Sequence, residues 1–371
     1  MKLKKILVTG DDNFIYRYKS LFTAISKNAI ELDYLPLSKV YQDNFFDVFM
    51  QFLYRFIYKF SLSTADRLFH KTKRAYIAKS QKLEFKIGQL EYTPDLVFHI
   101  FGMYSPFWHK SDIPYVMYID YTMNLAAQNW SPWAPFKNQE ELADWMECER
   151  QAYERAYHIF TFSNVAKKSL IADYNIQPYK INVVGSSGNF QESYKGEKTF
   201  GSQQILFNGS DFERKGGNLV LAAFKQVKQI IPNAKLVIIG KKILIEESGI
   251  TGIINPGKIS ISELQDLFLK TDLVVAPAYC DPFPTFLLEA MNYGVPCVVT
   301  NKDGMPEIVE HQVDGIVISE MKADILAEEI INLLLNPTLL ESFSKAARCK
   351  MITKYKWENI AKEILNILSS K

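Results

Sequence analysis

Residues Thr271–Gly315 read TDLVVAPAYCDPFPTFLLEAMNYGVPCVVTNKDGMPEIVEHQVDG. Leu273–Ala276 is a short apolar run closed by Pro277, which reads as a strand buried on both faces. A loop carrying Asp281 follows, and then a helix carrying Glu289, eight residues further on. Gly294-Val295-Pro296 stops that helix, and Cys297–Thr300 is a second apolar strand. The loop Lys302–Glu307 opens another helix. Strand, helix, strand, helix in this order predicts a parallel α/β sheet. Ligands of such sheets sit beyond the carboxyl ends of the strands. This stretch places two carboxylates and two helix N-termini at that edge.

The same alternation runs outward in both directions. Upstream, strands are predicted at 3–9, 30–36, 94–99, 114–120, 158–163 and 181–184, then at 204–207, 234–239 and 250–255. Helices are predicted at about 15–27, 140–156 and from 217 to 231. A further helix at 262–270 has a capping-type start, with Ser260 and Ser262 ahead of Glu263 and Gln265. Helices at about 321–335, 337–355 and 357–369 close the chain. At 371 residues, the length favours two cores over one. Residues 190–203 (FQESYKGEKTFGSQ) are polar and aperiodic and read as the linker. The expected organisation is a Rossmann-like unit over 1–190, a second over 200–355, and a terminal helix over 356–371 that packs back toward the first.

Composition narrows the function. Apolar residues make up 48% and the net charge is +2, which excludes a nucleic-acid binder relying on overall charge. The four cysteines show no C-x-x-C spacing and read as free thiols of a reducing, cytoplasmic compartment. No uninterrupted apolar run reaches the roughly 18 residues of a membrane span. The start MKLKKILVTG is a first strand rather than a signal peptide, and Gly10 ends it without a G-x-G-x-x-G fingerprint.

Two segments stand out. In 43–60, Asp47, Gln51, Arg55 and Lys59 recur every four residues among aromatic and aliphatic neighbours. A basic run follows: Arg67, His70, Lys71, Lys73, Arg74, Lys79, Lys82 and Lys86. This is either a helix buried against the sheet followed by a solvated basic helix, or a surface that rests on an anionic membrane. The segment Tyr121–Pro135 is rich in aromatic and amide side chains (Tyr121, Asn124, Gln128, Asn129, Trp130, Trp133). It reads either as a sugar-recognising loop or as a packed surface loop.

Three features of the second half converge on one sheet edge. Arg214-Lys215-Gly216-Gly217 puts two cations where a helix begins, an arrangement suited to a diphosphate. Asp281 stands in a loop kept open by Pro282 and Pro284, while Glu289 lies inside the next helix. Either carboxylate can bind sugar hydroxyls or stabilise positive charge on a sugar ring. Gly304-Met305-Pro306-Glu307 suits a plain helix start or a second phosphate contact.

In their order and spacing, FNGSDFERKGG (207–217), Asp281 through LLEAMNYGVPCVVT, and GMPEIVE…DG (304–315) resemble the retaining glycosyltransferases of glycosyltransferase family 4. The likeness is concentrated in about residues 200–320. In the first half, Pro94-Asp95, Ile113-Pro114 and the Ser163 and Gly188 turns fall at matching places. The resemblance implies the GT-B fold: two doubly wound Rossmann-like α/β domains facing a central cleft, with C-terminal helices. It also implies a nucleotide-sugar donor held by the second domain and a glycan or lipid-linked acceptor on the first. Lys215 matches the Lys that stabilises the leaving diphosphate. The family's upstream Arg is Ser210 here, with Arg214 as its substitute. Asp281 stands where the family usually has a sugar-contacting Glu, and Glu289 matches the carboxylate that binds ribose. Asp120 replaces a His at the end of the strand after Ile113-Pro114. Gly209, Ser210, Gly304, Met305, Pro306, Gly10 and Ser163 complete the expected substrate-binding set. No metal and no cofactor are implied, since the nucleotide-sugar is a substrate. The expected activity is metal-independent retaining transfer in surface polysaccharide or glycoconjugate synthesis, on the inner face of a membrane. The alternatives are a GT-B sugar-nucleotide epimerase and a non-catalytic nucleotide-sugar-binding subunit.

Overall fold

The computed structural model describes residues 3–36, 45–57, 70–190, 192–243 and 249–370. The chain divides into two compact units, Met1–Gly185 with Ile360–Lys371, and Ser186–Asn359.

In the first unit the apolar runs KILVT, LVFHI and YVMYI are buried along nearly their whole length, as expected of strands covered on both faces. The strands are β1 (Lys5–Gly10), β2 (Glu31–Pro36), β3 (Leu96–Ile100), β4 (Tyr115–Ile119), β5 (His158–Thr161) and β6 (Ile181–Val183). They form a parallel sheet in the order β2-β1-β3-β4-β5-β6. The second unit contains β7 (Gln204–Asn208), β8 (Lys235–Ile239), β9 (Ile253–Gly257), β10 (Leu273–Ala276), β11 (Cys297–Thr300) and β12 (Gly315–Ile318). These are again parallel, in the order β12-β11-β10-β7-β8-β9. In each sheet the chain winds outward one way, returns, and winds out the other way. The reversal falls between β1 and β3 in the first unit and between β7 and β10 in the second. Such switch points open a crevice at the carboxyl ends of the two strands.

Several expectations are corrected. The helix expected over 15–27 is two helices, Asp12–Arg17 and Lys19–Ser26, broken at Tyr18 (φ −100°, ψ 17°). The Tyr18 ring packs edge-on against Phe101, Tyr118 and Phe162 at 5.6–5.8 Å, so packing overrides local helix propensity. The segment read as a loop over 121–135 contains a helix, Met123–Asn129, and a tight turn at Ser131–Trp133. β12 was not expected, although Ile316-Val317-Ile318 after the Asp314-Gly315 turn carries a strand signal. The polar stretch 190–203 belongs to the second unit, where Arg348 donates to the Tyr194 and Gly196 carbonyls.

The aromatic segment forms the helix Phe45–Ile57. Lys59 and Arg67 lie outside the described residues. The burial reading of this helix does not hold, because Phe45, Phe52 and Phe56 are 88%, 67% and 69% exposed. The basic helix Lys73–Gly88 is not simply solvated either. It buries Ala75, Tyr76, Leu83 and Ile87, and burial pushes the Lys79 amine down to about 8. Among the described residues no helix is long and apolar enough to cross a membrane.

His99 lies in β3 with no exposure. Its Nε2 is 2.8 Å from the Tyr104 carbonyl and its Nδ1 is 2.8 Å from the Thr9 hydroxyl. A carbonyl only accepts, so Nε2 carries the proton and Nδ1 accepts from Thr9. Burial pushes the imidazole from 6.5 down to about 3. Between those values the unfolded chain holds a proton that the folded chain lacks. The stabilisation is therefore complete above about pH 6.5 and is lost as the pH falls, at about 1.4 kcal/mol per pH unit. Denaturant unfolding of the native chain and of His99→Gln between pH 6.5 and pH 4 checks this. The native chain is expected to lose stability more steeply by about that slope, and parallel curves would contradict it.

Candidate active site

The switch point of the second unit gathers the residues that the sequence singles out there. β7 ends at Asn208, whose side chain accepts from the Ser210 N–H at 3.1 Å. Gly209 donates to the Ile239 carbonyl at 2.8 Å, and a Cβ on it would lie 3.0 Å from Ile238. Ser210 itself is exposed. The chain then coils tightly. Lys215 N–H donates to Asp211 O, Gly216 N–H to Glu213 O, and Gly217 N–H to Phe212 O. Gly216 has φ +78°, and a Cβ there would stand 2.2 Å from the Pro277 carbonyl at the end of β10. A Cβ on Gly217 would penetrate the Phe212 ring at 2.4 Å. Both glycines are sterically required, the first also by its backbone conformation.

The helix Gly217–Ile230 starts here without a side-chain cap. The N–H groups of Asn218 and Leu219 have no hydrogen-bond partner among the described residues. Unpaired N–H groups in a first turn favour an anion.

Arg214 and Lys215 serve different purposes. Arg214 is only 8% exposed. Its Nε donates to Asp211 Oδ2 at 2.7 Å, and its Nη1 donates to the Cys280 carbonyl at 2.5 Å and lies 3.4 Å from Asp281 Oδ2. The guanidinium of Arg214 is thus bound to Asp211 on its own turn and to the loop after β10. Lys215 is half-buried, and no hydrogen bond or ion pair to its ammonium forms among the described residues. Burial holds its pKa below the usual value, followed by the opposing pull of Asp281 and then the repulsion of Arg214. Lys215 lines a narrow cavity with Asn208, Asp281, Phe286, Leu287 and Met305.

The loop after β10 is fixed from both sides. Asp281 N–H donates to Asp303 Oδ2 at 2.8 Å, Thr300 Oγ1 to the Ala278 carbonyl at 2.7 Å, and Tyr279 N–H to the Arg214 carbonyl at 2.8 Å. Glu289 lies in the helix Thr285–Asn292, and its Oε1 accepts from Asn189 N–H at 3.0 Å. A Cβ on Gly188 would lie 2.8 Å from Glu289 Cγ, so the backbone of 188–189 packs directly on this side chain. Gly304, Met305 and Glu307 donate their N–H groups to Pro282, Lys302 and Gly304 carbonyls. The phosphate contact expected of that turn therefore has no free N–H at those three positions. Met305 instead supplies apolar cavity wall, and Pro306 stands in the first turn of the short helix Met305–Ile308. Among the described residues no cluster of three or more His, Cys, Asp or Glu could hold a metal.

Asp120, Gly10 and Ser163 belong to the first unit. Gly10 ends β1 at φ +146°, with Ile100 3.2 Å from where its Cβ would stand. Asp120 follows β4, half-buried; burial, and after it the Asp120 charge, hold the Tyr18 hydroxyl protonated. Ser163 is fully buried, and its hydroxyl caps the helix Asn164–Ala172 by accepting from Ala166 N–H. That is a structural use of the group. Asp211, Asp303 and Asn189 were not anticipated. Asp211 could have been found from its three-residue spacing to Arg214 within a Gly-rich turn, and Asp303 from the Asp-Gly turn signal.

Residues 190–350 match the glycosyl transferases group 1 family. An uncharacterized glycosyltransferase of Methanocaldococcus jannaschii is 28% identical over 230 residues, 56% of this chain and 59% of that protein. The chain spans about half the length of the curated relatives it matches. Among solved structures, sucrose-phosphate synthase from Thermosynechococcus elongatus superposes with a TM-score of 0.72 at 14% identity, over 99% of this chain and 98% of that one. The Anabaena protein HepE in complex with UDP-glucose superposes with a TM-score of 0.65 at 13% identity, over 99% and 100% of the two chains. The chain therefore has the GT-B fold, and the part of it that matches the glycosyl transferases group 1 family is residues 190–350.

Proposed function

We propose that the protein is a retaining glycosyltransferase of family 4 that moves a sugar from a nucleotide-sugar to a glycan or lipid-linked acceptor. One observation carries this reading: the partnerless ammonium of Lys215 stands beside the uncapped start of the helix Gly217–Ile230 at the β7/β10 switch point. A diphosphate fits that place by charge and by hydrogen bonding. The likeness in fold to HepE, a protein solved with UDP-glucose, supports the same donor class.

In this reading the bond from the sugar C1 to the diphosphate breaks as a bond to the acceptor oxygen forms. The acceptor's proton passes to an oxygen of the departing diphosphate. Lys215 and the N–H groups of Asn218 and Leu219 stabilise the charge that grows on the leaving group, which lowers the barrier because they are already in place. Asp281, oriented by Arg214 and Asp303, faces the sugar. Glu289, oriented by Asn189, accepts from ribose hydroxyls. No step requires a metal.

A lipid-linked acceptor is supported by the helix Phe45–Ile57. It offers Phe45, Phe49, Phe52 and Phe56 to solvent, along with Arg55, and Lys73 and Arg74 are exposed in the helix Lys73–Gly88. An aromatic face that carries Arg55 suits the headgroup boundary of an anionic bilayer.

Thermal-shift screening against UDP-, GDP- and ADP-sugars tests the donor assignment, since a ligand that binds only the folded chain raises its melting temperature. One nucleotide-sugar class is expected to stabilise the native chain, while Lys215→Ala and Glu289→Ala keep their unliganded melting temperature and lose the shift. A shift retained by both variants would contradict the site. Sedimentation with vesicles tests the membrane face. Binding is expected to anionic but not to neutral vesicles, and to fall about tenfold or more in Phe52→Ser/Phe56→Ser. Equal binding of that variant would contradict it.

A further inference from the structure

The helix Gln139–Arg155 carries a carboxyl group deep in the first unit. Glu149 is 2% exposed, in a core that includes Trp145, Cys148, Tyr153 and Tyr174. An acid is rarely placed in such surroundings without a task. Its Oε2 accepts from Tyr174 Oη at 2.6 Å and, at the long end of the range, from Met123 N–H at 3.4 Å. Tyr174 Oη in turn accepts from Asn124 N–H at 3.2 Å. Thr122 Oγ1 accepts from Leu125 N–H at 3.3 Å and meets Ser169 Oγ at 2.7 Å. Ser169 donates to Asp173 at 2.6 Å, so Thr122 is the donor to Ser169. Ala126 N–H reaches the Thr122 carbonyl. All the first-turn donors of the helix Met123–Asn129 are thus held from within the core, and two of them run to Glu149. Thr122 is two residues beyond Asp120, at the carboxyl edge of β4.

We propose that Glu149 is a positioning residue for the segment 120–125, gripping it when ionised and loosening it when protonated. The inference rests on the reading of Asp120 and its neighbours as part of the substrate-binding edge. A carboxylate makes a stronger acceptor than a carboxylic acid, and it polarises Tyr174 into a better acceptor for Asn124. Burial pushes the Glu149 carboxyl up to about 7, against the opposing pull of the Tyr174 hydrogen bond and then the Lys71 ammonium. The charge therefore changes in the neutral range.

The other groups facing Glu149 do not titrate there. Tyr174, Tyr76 and Tyr153 are held protonated by burial, and the Cys148 thiol is pushed up to about 12. The Trp145 indole N–H, buried and unpaired among the described residues, faces it too. Gly102 leaves room for this cluster, since a Cβ there would lie 2.6 Å from Tyr153 Oη and 3.5 Å from Glu149 Oε1.

Amide hydrogen exchange at Met123 and Asn124, expressed as protection relative to the unfolded rate, tests the proposal without requiring turnover. From about pH 8.5 to about pH 5.5 the native chain should lose about tenfold in protection, with a midpoint near 7. Glu149→Gln should show the low value throughout. Tyr174→Phe removes a hydrogen bond that favours the ionised form, so the midpoint at Met123 should move upward. Flat protection in the native chain, or a native-like curve in Glu149→Gln, would overturn the proposal. Where transfer is measured, kcat should follow the same midpoint, with the donor KM unchanged. A loss of the kcat inflection with protection unaltered would likewise overturn it. An exchange midpoint without any turnover would leave the grip standing and remove the transferase reading instead.

Discussion

The second unit depends on how one buried guanidinium is neutralised. Arg214 leaves water almost entirely, which is costly for a cation unless partners surround it. Asp211, the Cys280 carbonyl and Asp281 are those partners. They lie on two loops, one after β7 and one after β10, so the cation that fills the crevice also ties its two walls together. Its own carbonyl receives the Tyr279 N–H, closing the link a second time. Arg214 is committed to this clamp, whereas the neighbouring Lys215 ammonium has no hydrogen bond or ion pair among the described residues.

Close packing then fixes what the clamp leaves loose. Gly216 lets the turn pass against Pro277, and Gly217 makes room for the Phe212 ring. Gly188 lets the backbone lie on Glu289, and the next N–H orients that carboxylate. Lys350 secures the far side, bonding the buried Asp314 and the Ile308 carbonyl at the end of the short helix after β11. These devices fix both backbone and carboxylate tips, which is what a site needs if its geometry is to precede its ligand.

Much of this was legible in the chain. Short apolar runs bounded by Gly and Pro located nearly every strand, because a doubly covered parallel strand has no polar face to blur the signal. The Ser260–Glu263 capping box was visible because caps are local chemistry. Long-range partners were not. That Arg214 reaches Cys280 and Asp281 depends on loops about seventy residues apart in sequence meeting at one sheet edge. The break at Tyr18 depends on rings from three other elements. The stripe in 43–60 revealed an amphipathic helix, but periodicity says which face is apolar and not what covers it. Glu149 drew no notice because an acid in a helix pattern reads as solvated until the neighbouring aromatic residues are seen to enclose it.

The central claim is that Lys215 stands ready to neutralise a diphosphate. The most direct measurement is the titration of its ammonium by NMR of side-chain-labelled lysine, in the free protein and with saturating uridine or guanosine diphosphate, with Lys215→Arg used to assign the signal. The free ammonium should titrate below the ordinary lysine value of 10.5, as burial dictates, and the nucleotide that binds should raise it, since a nearby anion favours the charged form. A Lys215 signal that titrates unchanged when the nucleotide is demonstrably bound would contradict the account.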